Sequence, residues 1–343
     1  MSQPLAHFDE MSHPATNLET RRKFDGPATR RWRQRLLAWY DHNRRDLPWR
    51  QNRDPYRVWL SEIMLQQTRV SAVLEHYRRF LQRFPTVQKL ASARESSVLA
   101  AWSGLGYYRR ARMMHAAAKA IVKQHAGRFP GQLAELRALP GIGRYTAAAI
   151  ASIVFNLPAA VVDGNVERVL GRVFGAGLAG EPLWQTAAEL LSRDRPGDCN
   201  QAIMELGATV CLPRQPRCSI CPVFSLCATR GTLDAARKPA RQRRREICYA
   251  LDHRQSSVFL VQRPKNASLM PGMWELPEIP VSSASGDAGL TVRHSITVTD
   301  YTVRVMRGPA VVDSGGRWVA KRRVPRLPLT GLARKILRQA QVI

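Results

Sequence analysis

From about residue 29 to 227, apolar positions recur with the spacing of helix faces. Between Arg57 and Phe80, the residues Val58, Ile63, Val70, Val73, Tyr77 and Phe80 suit buried helix faces, and the pattern predicts one helix there. Arg109–His125 and Tyr145–Phe155 are rich in Ala and helical in propensity, and Val166–Phe174 reads as a short amphipathic helix. Turns containing Gly and Pro punctuate these segments. The pattern changes after Cys227. Residues 228–246 carry Arg230, Arg237, Lys238, Pro239, Arg241, Arg243, Arg244 and Arg245 and read as a basic linker. Beyond it the period falls to two. Val258–Val261 is a short apolar run, and Tyr301, Val303 and Val305 alternate with polar residues. Residues 283–288 read as a loop, and Thr330 is positioned to cap a last helix containing Leu332, Ile336 and Leu337. Residues 1–28 are polar, mixed in charge and aperiodic. The expected organisation is a flexible tail over 1–28, a helical domain over 29–227, a basic linker over 228–246 and a smaller α+β domain over 247–343.

The chain of 343 residues is long enough for two domains and for a core that needs no disulfides. Lys and Arg number 53 against 26 Asp and Glu, a formal net charge of +27. Such an excess attracts polyanions by Coulomb steering and counterion release, so nucleic acid is the expected partner. The preference for Arg over Lys carries little weight, because a GC-rich coding bias also produces it. No run of about 18 apolar residues occurs, which argues against a membrane span. No apolar signal segment opens the chain, so a reducing interior is expected, cytoplasmic or nucleoid-associated. A monomer is expected.

Charge gives the partner class; the chemistry lies in a few clusters. Cys211, Cys218, Cys221 and Cys227 are separated by six, two and five residues. In a reducing compartment that compact set points to a single four-thiolate centre, either zinc or an iron–sulfur cluster, and spacing does not choose between them. Cys199 and Cys248 lie outside the set and read as buried thiols. Leu139-Pro140-Gly141-Ile142-Gly143-Arg144-Tyr145 opens a helix, and the glycines let backbone N–H groups converge on an anion there. A Gly-x-Gly alone is most often only a turn. Glu62 shares a helix face with Val58, Trp59, Leu65 and Gln66. A carboxyl against Trp and Leu tends to a raised pKa, as a general acid needs; the plain alternative is an exposed helical Glu. Asp163 precedes Gly164-Asn165 and a helix, so it is either an N-cap or a second functional carboxylate. In Gly104-Leu105-Gly106-Tyr107-Tyr108-Arg109-Arg110, aromatic rings beside Arg suit a wedge into a base stack with the Arg on phosphate, or a buried aromatic pair at a helix start.

Taken in order, Leu47-Pro48-Trp49-Arg50, Ser61-Glu62-Ile63-Met64-Leu65-Gln66-Gln67-Thr68, Gly104–Tyr108, Leu139–Gly143, Val162-Asp163-Gly164-Asn165-Val166 and the four cysteines resemble the MutY family of adenine DNA glycosylases. That family lies within the helix–hairpin–helix superfamily that includes endonuclease III. The likeness covers about residues 29–343 and is looser beyond 227. It implies an all-helical catalytic region, built of a six-helix module and a cluster module with the DNA cleft between them, followed by an α+β Nudix-like domain. It implies one 4Fe–4S cluster on Cys211, Cys218, Cys221 and Cys227, structural in role, presenting a loop with Arg214 and Arg217 to DNA. The implied substrate is duplex DNA with adenine opposite 8-oxoguanine or guanine, flipped out for hydrolysis of its glycosidic bond. By the same likeness Glu62 protonates the purine, and Asp163 stabilises the sugar cation or links to it transiently. Tyr145 and Asn165 assist, and Trp49, Arg50 and Gln201 line the adenine pocket. Gln67 and Tyr107 form the wedge, Thr68 contacts the opposite base, and Gly141 and Gly143 clamp phosphate.

Bifunctional lyases of the superfamily carry Lys where this chain has Tyr145, and a phenol forms no Schiff base. Thymine mismatch glycosylases also carry Tyr there; the Gln66-Gln67-Thr68 triplet and the C-terminal domain favour adenine. Pro271-Gly272-Met273-Trp274-Glu275-Leu276-Pro277 resembles a turn of the Nudix-like domain, but the metal-binding Glu cluster of true Nudix hydrolases does not follow it. Pyrophosphatase activity is therefore not expected, and the implied role is reading 8-oxoguanine. The stretch that matches the family's Phe-Ser-His probe comprises Ser295, Ile296, Thr297 and Val298, with Val298 where the His stands. A weaker preference for 8-oxoguanine is expected. A catalytically idle sensor of distorted DNA, a thymine glycosylase and, more remotely, an RNA-binding module are the competing readings.

Overall fold

A computed structural model describes residues 24–175, 178–232, 243–281, 289–296, 299–309 and 315–343. Most of the expected tail, the middle of the expected linker, the 283–288 loop, Thr297 and Val298 lie outside the described residues. The chain divides into two compact units, Met1–Arg45 with Asn156–Asp234, and Asp46–Phe155 with Ala235–Ile343.

Helix α1 (Gly26–Asn43) belongs to the first unit. The second unit then takes α2 (Pro55–Leu65), α3 (Val70–Arg83), α4 (Val87–Ala91), α5 (Glu95–Trp102), α6 (Arg109–Gln124), α7 (Leu133–Ala138) and α8 (Arg144–Phe155). The chain returns to the first unit for α9 (Gly164–Phe174), α10 (Gly180–Leu190), α11 (Pro196–Thr209) and two 3-10 turns at Cys218–Ile220 and Phe224–Leu226. Strands β1 (Arg243–Leu251), β2 (Ser257–Gln262), β3 (Trp274–Glu275), β4 (Glu278–Ile279), β5 (Leu290–Ile296), β6 (Thr299–Arg307) and β7 (Arg317–Ala320), with the closing helix α12 (Gly331–Gln339), complete the second unit.

The expected helices are present with small shifts at their ends, except between 57 and 80. There the chain forms two helices, α2 and α3, separated by Gln66–Arg69. No Gly or Pro marks the break; Gln67 makes it by taking a left-handed conformation, φ 56°. In α3, Val73, Tyr77 and Phe80 are buried at helical spacing. In α1, Trp32, Leu36 and Tyr40 form such a stripe and are almost fully buried. Each of those side chains contributes about 1.5–3 kcal/mol by leaving water. Helix α9 buries Val166, Val169, Leu170 and Val173.

Among the described residues, the C-terminal part holds a four-stranded sheet in the order β4-β1-β6-β5 and a three-stranded sheet in the order β3-β2-β7. β1 runs parallel to β6, from Arg243 opposite Thr299 to Leu251 opposite Arg307. The last residues of the expected basic linker are therefore strand, because backbone pairing with β6 extends through the arginines. Val303 and Val305 face a core shared with Leu260, Leu276, Leu329, Ile336 and Leu337. Thr330 caps α12 as expected, its Oγ1 accepting from Ala333 N at 3.1 Å. This part is anchored to the helices of its own unit. The Leu329 carbonyl accepts from Ser103 Oγ at 2.8 Å and from Tyr108 OH at 2.9 Å. Arg112 of α6 donates to the Pro271 carbonyl at 2.5 Å, fastening the Pro271–Pro277 turn.

Candidate active site and cysteine cluster

Glu62 lies in the middle of α2. Asp54 caps that helix by accepting from Arg57 N at 2.8 Å, and Pro55 stands where no N–H partner is needed. Val58, Trp59, Ile63 and Met64 are buried around it, and Glu62 itself is only 7% exposed. A carboxyl in such a wall needs a donor. Tyr145, in the first turn of α8, supplies one: its OH donates to Glu62 Oε2 at 2.8 Å. Beside this pair Gln66 Nε2 donates to the buried Thr146 Oγ1 at 3.3 Å. The exposed-glutamate reading is thereby excluded. Trp49 packs edge-on against Tyr77 at 5.3 Å and supports the 3-10 turn that ends at the half-buried Arg50.

The two residues expected to wedge the base stack behave alike. Gln67 and Tyr107 are exposed, and both hold positive φ, 56° and 47°. Tyr108, by contrast, is buried with its OH on Leu329, so the adjacent aromatics do different work. Arg110 corrects the expectation of an arginine on phosphate. Its guanidinium points inward and donates to the carbonyls of Ile63, Met64, Gln66, Leu105 and Gly106 and to Thr68 Oγ1. Burial lowers its pKa to about 10. Arg109 is exposed.

Gly141 takes φ 72°, and an added Cβ there would come 2.5 Å from Met113 Cβ. Gly143 has no atom within 4 Å of such a Cβ, and its carbonyl starts the α8 ladder by accepting from Ala147 N at 2.9 Å. Only Gly141 is required by the fold itself.

In the first unit Asp163 caps α9. Its Oδ1 accepts from Asn165 N at 2.9 Å and Val166 N at 2.8 Å, and its Oδ2 from Asn165 Nδ2 at 2.9 Å. Both readings of Asp163 thus remain chemically compatible: capping fixes the carboxylate that would act. Asn165 Oδ1 in turn accepts from Arg168 Nη2 at 2.8 Å. Arg168 also donates to the Gly207 carbonyl at 2.7 Å and the Cys211 carbonyl at 2.8 Å. One helical turn on, Arg172 donates to Cys211 Sγ at 3.2 Å and to the carbonyls of Leu212 and Pro213, both at 2.8 Å. The sequence reading did not single out these arginines, although spacings of three and seven from Asn165 place them on its helix face. Gln201 lies half-buried on α11.

Cys211, Cys218, Cys221 and Cys227 line one cavity, walled by Val169, Val173, Leu206, Val210 and Val223. None is in a disulfide. Among the described residues no three His, Cys, Asp or Glu side chains are close enough to share a single metal ion. Four thiols lining one cavity are a donor set that an iron–sulfur cluster can use. Soft thiolate donors, an apolar wall and the Arg172 donor at Cys211 fit the same group. At Gly231 an added Cβ would come 3.2 Å from Cys218 Sγ, which keeps that flank open. Cys199 and Cys248 are buried, as expected.

Ser295 and Ile296 end β5, with Ser295 Oγ donating to Asp300 Oδ1 at 2.5 Å across the hairpin. His294 is half-buried, and burial with Lys335 nearby holds its pKa below the usual range. Glu275 of the Pro271–Pro277 turn pairs with Arg263 at 2.6 Å.

Residues 60–190 match the profile of the HhH-GPD superfamily base excision DNA repair protein. The chain is 40% identical over 311 residues to the adenine DNA glycosylase of Rattus norvegicus, covering 72% of this chain and 60% of that protein. To the adenine DNA glycosylase of Homo sapiens it is 40% identical over 316 residues, covering 72% and 57%. It therefore spans about three-fifths of the length of these relatives. Among solved structures, a thermostable thymine-DNA glycosylase superposes with a TM-score of 0.57 at 29% identity, covering 60% of this chain and 98% of that one. A non-covalent endonuclease III–DNA complex superposes with a TM-score of 0.51 at 22% identity, covering 59% and 96%, which shows a shared fold. Over residues 60–190 the chain is similar to the HhH-GPD superfamily of base excision DNA repair proteins, and over 72% of its length it is similar to adenine DNA glycosylases.

Proposed function

We propose that this protein is a monofunctional DNA glycosylase that removes adenine lying opposite 8-oxoguanine or guanine in duplex DNA. The observation that carries the reading is the Glu62 carboxyl, buried in an apolar wall with the Tyr145 hydroxyl on it, in a chain 40% identical to adenine DNA glycosylases.

Adenine departs poorly as an anion. In the proposed step the Glu62 carboxyl gives its proton to the flipped purine, and the C1′–N9 electron pair leaves with the base. The sugar becomes oxocarbenium-like. Asp163, held in place by the backbone N–H groups of Asn165 and Val166 and by the Asn165 side chain, stabilises that charge. Water then adds to C1′, and its proton returns to a carboxylate. Arg50, Gln201 and Trp49 are assigned to the adenine pocket, Gln67, Tyr107 and Thr68 to the opposite base, and Gly141 and Gly143 to phosphate. Cys211, Cys218, Cys221 and Cys227 would hold a 4Fe–4S cluster, which supplies a covalent cross-link for their loop; it takes no part in the hydrolysis. The C-terminal α+β part is read as Nudix-like and as the reader of 8-oxoguanine, through the hairpin that follows Ser295. We place the protein in a reducing cell interior.

Likeness to a thymine-DNA glycosylase favours thymine removal as the second reading. Single-turnover base release from duplexes carrying A:8-oxoguanine, A:G and G:T decides between them. Adenine release from the first two supports the proposal. Release from G:T alone supports the second reading, and binding without release supports a sensor.

A further inference from the structure

The residues assigned to the opposite base sit on two loops far apart in sequence, and a single side chain joins those loops. Arg110 Nη1 donates to the carbonyls of Ile63 at 2.9 Å, Met64 at 3.0 Å and Gln66. Its Nη2 donates to Thr68 Oγ1 at 3.2 Å, the Leu105 carbonyl at 3.1 Å and the Gly106 carbonyl at 3.3 Å. The guanidinium stacks over the rings of Trp102 and Tyr107, 5.5 Å from each centroid. It therefore caps the C-terminus of the helix that carries Glu62, then grips the loops of Gln67 and Tyr107 on either side. Both of those residues hold positive φ without being glycine, a conformation that surrounding contacts must impose.

We infer that Arg110 is the positioning residue of the wedge: it holds Gln67 and Tyr107 in their exposed, left-handed poses and ties them to the last turn of the Glu62 helix, so that reading of the opposite base is coupled to placement of the acid. The inference rests on the proposed function and adds the residue through which its two tasks communicate. Arg110 touches neither base nor sugar in this scheme. A lysine keeps the charge, but one ammonium has three donors and no plane, so it cannot serve six acceptors on two loops at once.

The test uses Arg110→Lys with the full chain, and a duplex in which 2-aminopurine neighbours the target adenine. The natural protein brightens 2-aminopurine as it unstacks the site. In Arg110→Lys, at equal bound fraction by anisotropy, the brightening falls by about half. The ratio of adenine release opposite 8-oxoguanine to release opposite guanine falls about tenfold, the size of one charge-assisted hydrogen bond. A purely structural arginine would lower the melting temperature and the active fraction but leave both readouts unchanged per active molecule, and that result overturns the inference. A second comparison guards against general damage. In a Tyr107→Ala background, adding Arg110→Lys produces little further loss of brightening if the arginine acts through Tyr107, whereas additive losses overturn it. A natural protein that neither unstacks nor releases adenine rejects the proposed function itself, a failure distinct from that of Arg110.

Discussion

Glu62→Gln isolates the proton from the shape. Glutamine fills the same volume in the wall of Val58, Trp59, Ile63 and Met64, and its amide oxygen can still accept from Tyr145 OH, now 2.8 Å from Oε2. Its amide N–H groups bring a new burial cost of about 1–3 kcal/mol where no acceptor meets them. The melting temperature should therefore fall by no more than about 10 °C, and DNA binding should persist. Chemistry should not. General acid catalysis contributes about 10²–10⁴ in rate, a barrier change of about 3–5 kcal/mol. Tyr145→Phe keeps the proton on Glu62 and removes only the hydroxyl that donates to its Oε2, a hydrogen bond that reaches about 1.5–3 kcal/mol as the carboxylate forms on proton transfer. It should be the milder lesion, slowing release about 10- to 150-fold. The assay is single-turnover release of adenine from an A:8-oxoguanine duplex at saturating protein, beside anisotropy binding to an uncleavable analogue. A Glu62→Gln protein that binds normally and releases adenine within threefold of the natural rate would falsify the assignment of the acid. So would a Tyr145→Phe variant more damaged than Glu62→Gln, since the tyrosine has no proton role of its own here.

Three further outcomes follow from the geometry. Gly143→Ala meets open space, so thermal stability should hold while affinity for any duplex drops about tenfold if a phosphate approaches that backbone; Gly141→Ala should instead cost about 1–3 kcal/mol in the melt, from its positive φ and from Met113. Arg168→Gln removes donors from Asn165, Gly207 and Cys211 together, and should lower both the iron content per chain and the rate of adenine release; normal iron with normal release would show that the network does not matter. Val298→His should raise the preference for 8-oxoguanine over guanine in product-analogue binding, by about 1–3 kcal/mol for one restored hydrogen bond, and identical ratios for the two proteins would retire the probe assignment.

Much of this protein is written in local pattern. Thr330 and the apolar positions after it specify α12 without help, because a cap and a 3.6-residue period are properties of neighbours in sequence. The same holds for Asp163 and the stripe of α9, and for the alternation that makes Val303 and Val305 the inner face of β6. Glu62 is legible as a residue on an apolar helix face, but its partner is 83 positions away and comes from another helix.

Other features were decided by tertiary contacts alone. No Gly or Pro near residue 66 signals a helix end; the chain breaks at the left-handed Gln67, and Arg110, some 44 positions on from Gln66, satisfies the carbonyls that the break leaves open. Three consecutive arginines read as solvated linker, yet they are strand, because nine residues of backbone pair with β6 whatever the side chains are. Tyr107 and Tyr108 are identical neighbours, yet the second is buried with its hydroxyl on the carbonyl of Leu329, 221 positions distant, and the first is exposed. Periodicity records which face of an element is apolar. It carries no record of which distant donor will meet which open acceptor, and in this chain those meetings mark where helices stop, where strands begin and which tyrosine is buried.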